Sequence, residues 1–156
     1  MSGDALTRVF EDEELLGAES DLQVILTREE DDDTFQLTVS LTCKGQEVVQ
    51  QVVYADPQSE EEDGAEVPLA EYLALWQSVR ETGWPARAMS GEGLPEPGTD
   101  VYLSGHAGPA GLGWTVSTSL AGLTGCPEAL ACCEAILSLV VARSDLGAAH
   151  VGDFQS

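Results

Sequence analysis

Phe35-Gln36-Leu37-Thr38-Val39-Ser40-Leu41-Thr42-Cys43 alternates apolar and polar residues without a break. Successive side chains of a strand point to opposite faces, so this stretch reads as a β-strand with one buried face and one wet face. Strand signals flank it on both sides, at residues 22–27 and at 47–54, the latter through Val48, Val49, Val52 and Val53. The polar run 29–33 and the Lys44, Gly45 pair are short connections, so the three strands predict an antiparallel meander.

Working outward, DPQSEEEDGAE at 56–66 is poor in apolar residues and densely charged, and reads as a mobile surface loop. Pro68 then opens an amphipathic helix over 68–82, with Leu69, Tyr72, Leu73, Trp76 and Val79 at helical spacing and Gly83 and Pro85 as its stop. Residues 85–99, rich in Pro and Gly, read as an irregular connection. Strands at 100–105 and 113–120 follow, joined by the hairpin loop HAGPAGLG at 106–113. A last helix is expected over 127–143, and a loose tail over 147–156. Near the start, Leu6, Val9, Phe10, Leu15 and Leu16 predict a short amphipathic helix whose solvated face carries Glu11, Asp12, Glu13 and Glu14. The expected fold is therefore α+β: one domain over 1–146, an antiparallel sheet of about five strands and three helices, in α-βββ-α-ββ-α order.

The last helix is apolar almost all round, holding Leu130, Cys132, Cys133, Ile136, Leu137, Leu139, Val140 and Val141 against a thin polar stripe through Glu134 and Ser138. A helix on one side of a sheet needs only one apolar face, so the rest must be covered by a neighbouring helix, the N-terminal segment or a second subunit. A homodimer is the expectation, with Tyr72, Trp76, Ile136, Leu137 and Val140 as candidate interface residues.

Charge restricts the partners. The chain carries 28 Asp and Glu against 6 Lys and Arg, a formal net charge of -22. No basic stripe can be assembled from Arg8, Arg28, Lys44, Arg80, Arg87 and Arg143, and the summed field repels a polyanion, which disfavours direct binding of nucleic acid. The same field attracts cationic surfaces, such as a basic protein or one whose usual ligand is DNA or RNA. Solubility, or adaptation of a cytoplasm to salt, accounts for such acidity equally well. No stretch approaches the roughly 20 apolar residues that cross a bilayer, and the acidic start is unlike a basic signal peptide, so the expected location is the cytoplasm.

Motifs for chemistry are missing. Cys43, Cys126, Cys132 and Cys133 contain no CxxC pair, which argues for buried reduced thiols and against a zinc site or a disulfide framework. The acidic runs lack the alternating ligands, central Gly and terminal Glu of a calcium loop. HAGPAGLG precedes a strand, whereas a phosphate cradle opens a helix, and His106 and His150 have no Cys or second His beside them. No cofactor is implied and no catalytic residue can be named, so the expectation is not an enzyme.

The segment from Trp114 to Leu146 runs as a strand, WTVSTSLAGL, a short turn, TGCPEAL, and a long apolar helix ending in VARSDL. Together with the order of elements, this resembles the type III secretion chaperone-like fold, including the bacterial YbjN family. The resemblance implies a dimeric, non-catalytic module that holds a partner segment on apolar patches or on the sheet. Combined with the charge, it implies a chaperone or adaptor for a basic, nucleic-acid-handling protein, for example one that binds or repairs single-stranded DNA. The alternative is a DNA mimic, whose carboxylates at 11–14, 29–33 and 60–63 stand in for phosphates, with an enzyme lacking recognisable motifs a third reading.

Overall fold

The computed structural model describes residues 19–107 and 112–154. The helix expected near the start lies outside the described residues. Six strands, β1 (Glu19–Glu30), β2 (Asp33–Lys44), β3 (Glu47–Ala55), β4 (Glu60–Val67), β5 (Pro97–Ala107) and β6 (Leu112–Thr118), form one sheet. Their order is β4-β3-β2-β1-β5-β6, and every neighbouring pair is antiparallel. Five α-helices accompany it among the described residues: α1 (Leu69–Glu81), α2 (Trp84–Ser90), α3 (Leu120–Thr124), α4 (Pro127–Val141) and α5 (Asp145–His150). A 3-10 turn, Val151–Phe154, follows α5. The α+β class and the antiparallel sheet stand, with more strands and helices than expected.

The meander forms because its turns are cheap and its alternation is clean. Asp31 and Asp32, both at positive φ (52° and 69°), join β1 to β2 in a two-residue hairpin turn that matches the strands' right-handed twist. Gly45, also at positive φ, opens the two-residue link between β2 and β3. On one face of these strands Leu22, Val24, Leu26, Leu37, Val39, Leu41, Val48 and Val52 are buried, and the helices cover them.

Three expectations need correction. Residues 56–66 are not a loop throughout, because β4 occupies most of them and pairs with β3 from Ala55↔Glu60 to Val48↔Val67. Backbone pairing to an already formed neighbour outweighs a composition that, at an edge, has little apolar surface to bury. The Gly- and Pro-rich stretch 85–99 holds α2 and the start of β5. Gly83 sits at φ 80° where α1 ends, and Pro85 occupies the first turn of α2 instead of merely stopping α1. Residues 147–154 are not a loose tail. Ser144 caps α5 by accepting from Gly147 N at 2.8 Å, the His150 ring stacks on Tyr54 with centroids 3.6 Å apart, and Phe154 is only 3% exposed.

Candidate protein-binding surface

The five interface candidates lie inside the domain. Tyr72 is 0% exposed, Trp76 1%, Ile136 0%, Leu137 4% and Val140 0%. Tyr72 Oη shares a 2.7 Å hydrogen bond with Ser20 Oγ, and burial pushes its hydroxyl pKa well up. The α4 helix is enclosed from several sides by α1, α3, α5 and β1, so its all-round apolarity serves the core of one chain. The geometric reason for a second subunit at this helix falls away. The same enclosure buries Cys132 and Cys133, and desolvation raises both thiol pKa values, that of Cys133 to about 12. Burial thus disfavours the thiolate, the reactive form of both.

Among the described residues, no helix covers the other face of the sheet or its two ends. Register places Glu62, Val53, Thr38, Ile25, Tyr102 and Ser117 in one row across the six strands on that face. A second row holds Gly64, Gln51, Ser40, Gln23, Ser104 and Thr115. Most of these side chains are half-buried or exposed, and Val49, beside Glu66, is 48% exposed. A band of Ile, Val and Tyr set among short polar groups offers contact area and hydrogen-bonding groups together.

One end of the sheet is strongly acidic. The β1–β2 hairpin brings Glu29, Glu30, Asp31, Asp32 and Asp33 there, and the β3–β4 hairpin brings Asp56, Glu60, Glu61 and Glu62 to the same end. Two acidic runs that lie apart in sequence thus become neighbours, a juxtaposition that depends on the β3–β4 pairing and that composition alone does not show. Arg28, the basic residue nearest this end, is engaged: its guanidinium lies 2.9 Å from Glu30 Oε2 and over the Phe35 ring at 4.6 Å. Asp56 caps its own turn by accepting from Gln58 N and Ser59 N, both at 2.8 Å, and these bonds lower its pKa.

Two other places gather groups of a kind that chemistry uses. On the open face Asp21 is paired in register with His106, beside Ser104 and Thr115 in a shallow depression. Burial raises the Asp21 pKa, and the nearby His106 partly offsets it. A base held by an orienting hydrogen bond against a nucleophile is what catalysis would need. No hydrogen bond among the described residues links Asp21, His106 and Ser104 in that way. Between α3, α4 and the 3-10 turn lies an apolar cavity of about 280 Å³, lined by Leu26, Leu123, Leu130, Cys133, Leu137 and Phe154 among others. Glu134, Thr124 and Cys133 are the lining residues with polar side-chain atoms. Among the described residues no group of three or more His, Cys, Asp or Glu is placed to hold a metal ion, and no helix is long and apolar enough to cross a membrane. No protein-family model matches the chain, and no curated protein matches it either.

Proposed function

We propose that the protein is a non-enzymatic, dimeric protein-binding module of the chaperone or adaptor kind, whose acidic sheet end steers a basic partner onto the open sheet face. The observation that carries this reading is the convergence of two acidic hairpin ends beside a half-apolar row of side chains that no helix among the described residues covers. Carboxylates concentrated at one end raise the association rate of a cationic surface more than they add affinity, and the Ile25, Val53 and Tyr102 band supplies the contact. A partner that normally handles nucleic acid fits, because it presents the required positive surface.

The test is binding of a Lys- and Arg-rich peptide, and of a basic single-stranded-DNA-binding protein, at low and high salt. Affinity falls as salt rises, and neutralising Glu30, Asp33, Glu60 and Glu62 to their amides costs about tenfold or more, about 1.4 kcal/mol. Affinity unchanged by salt and by the amides would overturn the reading.

The DNA-mimic alternative has one observation in its favour. Glu60, Glu62 and Glu66 share one face of the edge strand β4, at alternating positions roughly 6.6 Å apart per pair of residues. Competition decides: a mimic displaces duplex DNA from its target, whereas an adaptor leaves the target's DNA site free.

A further inference from the structure

Residues 101–127 hold no Asp, Glu, Lys or Arg, in a chain with 28 acidic and 6 basic residues. They supply most of β5, all of β6 and all of α3, so the charge-free stretch forms one edge of the sheet. The opposite edge, β4, carries Glu60, Glu61, Glu62, Asp63 and Glu66. An edge strand exposes unpaired N–H and C=O groups, and proteins guard such edges with charge, Pro or bulges. β4 is guarded in this way. β6 has neither charge nor Pro, and its only register shift lies at its Thr118 end, opposite Pro97 and Val101. Among the described residues it pairs with β5 alone. Apolar surface gathers beside it: Val116 is half-buried, Met89 on the neighbouring α2 is half-buried, and Leu94, three residues before Pro97, is 45% exposed.

We infer that β6 pairs antiparallel with β6 of a second copy across a two-fold axis, joining two six-stranded sheets into one continuous sheet. This deepens the dimeric part of the proposed function and does not depend on the cationic partner. Electrostatics selects a second copy as the occupant. Two molecules of charge -22 repel, and β6 is the edge along which they meet without opposing carboxylates. Five inter-strand spacings of about 4.8 Å put β4 roughly 24 Å away, beyond two Debye lengths at physiological salt. A cationic segment, by contrast, finds no carboxylate on β6 to pair with. Pairing along residues 112–118 sets Thr115 opposite its own copy, as an isologous contact requires.

Light scattering at micromolar concentrations tests this. The wild-type chain is expected at twice its 16.5 kDa mass. Thr115→Glu with Ser117→Glu places like charges at the axis, on side chains that are exposed in the single chain, and should weaken association by about tenfold or more without changing the circular dichroism. Gln36→Glu with Thr42→Glu adds the same charge at exposed positions on β2 and should leave the dimer intact. Should the first double variant unfold, Thr115→Cys decides: it should give a disulfide-linked dimer under mild oxidant, because the four native cysteines are buried. A wild-type monomer, a folded Thr115→Glu/Ser117→Glu dimer, or a Thr115→Cys chain that never cross-links overturns the inference. Binding of the Lys- and Arg-rich peptide is read separately, on the wild type and on the variant with Glu30, Asp33, Glu60 and Glu62 changed to amides, whose substitutions lie off β5 and β6, so that loss of one activity is not mistaken for loss of the other.

Discussion

The two faces of the sheet are made by the same strands from alternate residues, yet they answer to different constraints. On the covered face Leu22, Val24, Leu37, Val39, Leu41 and Val52 are fully buried, and the positions that break this pattern are Ser20, tied to Tyr72, and Gln50, tied to α4. On the open face Gln23, Thr38, Ser40, Thr42 and Gln51 alternate with Ile25, Val53 and Tyr102, and no described helix covers them. The covered face therefore sets stability, while the open face carries the polar half of the alternation. The same partition explains why the five interface candidates lie inside the domain: apolar character alone does not say whether a helix face is covered by its own sheet or by a second subunit.

The sharpest way to break this contrast is Trp76→Ala. Trp76 is 1% exposed at the centre of the covered side, and its truncation should cost about 3–5 kcal/mol in urea unfolding. A loss below about 1 kcal/mol would mean that the helix layer is not the core. Gly105→Ala should come next, at about 1–3 kcal/mol, since a Cβ there lies 2.4 Å from Trp114 Cζ2 on the paired residue of β6. An unchanged unfolding midpoint would show that the indole has room to move. Gln50→Leu sharpens the contrast from the other side. Gln50 Nε2 donates to Val140 O at 3.2 Å while its buried Oε1 has no partner, and Val140 O also accepts from Arg143 N. The substitution should therefore be neutral or slightly stabilising, within about 1 kcal/mol, and a loss above about 2 kcal/mol would show that the amide is required.

The smallest effect concerns pH at the acidic end. The folded-state pKa of Asp56 is lowered, first by the Gln58 and Ser59 amides, so its contribution is present above the unfolded carboxylate pKa of about 4 and is lost as pH falls through the lower folded value. Asp56→Ala should accordingly show a shallower loss of stability between neutral and acid pH than the wild type. Parallel profiles would show that the turn does not depend on the carboxylate.

The alternation at 35–43 and the valine run of β3 were enough to place the meander, and the 3.6-residue spacing in Leu69, Tyr72, Leu73 and Trp76 was enough to place α1. Both signals come from residues that pack against a large apolar surface. Where structure rests on pairing or on single anchors, the signal thins. β4 is a strand because β3 offers it hydrogen bonds, and Val67 is its one buried side chain. α5 and the turn after it depend on Ser144, His150 and Phe154, three contacts too sparse to give a period. The candidate surface was half legible: the acidic runs were visible as composition, but their meeting at one end of the sheet required the pairing of β3 with β4.

Asp63 accepts from Ser144 Oγ at 2.9 Å and from Leu146 N at 3.2 Å, so the most acidic strand is fastened to the last helix by a single carboxylate. The consequence concerns the order of synthesis. Strands β1 to β4 leave the ribosome well before residues 144–154, yet Tyr54 and Leu26 take part of their cover from His150 and Phe154. Until those residues emerge, Asp63 lacks its two donors and the Tyr54 and Leu26 side chains lack part of their cover, so the first four strands cannot complete their packing before the C-terminal turn has been made.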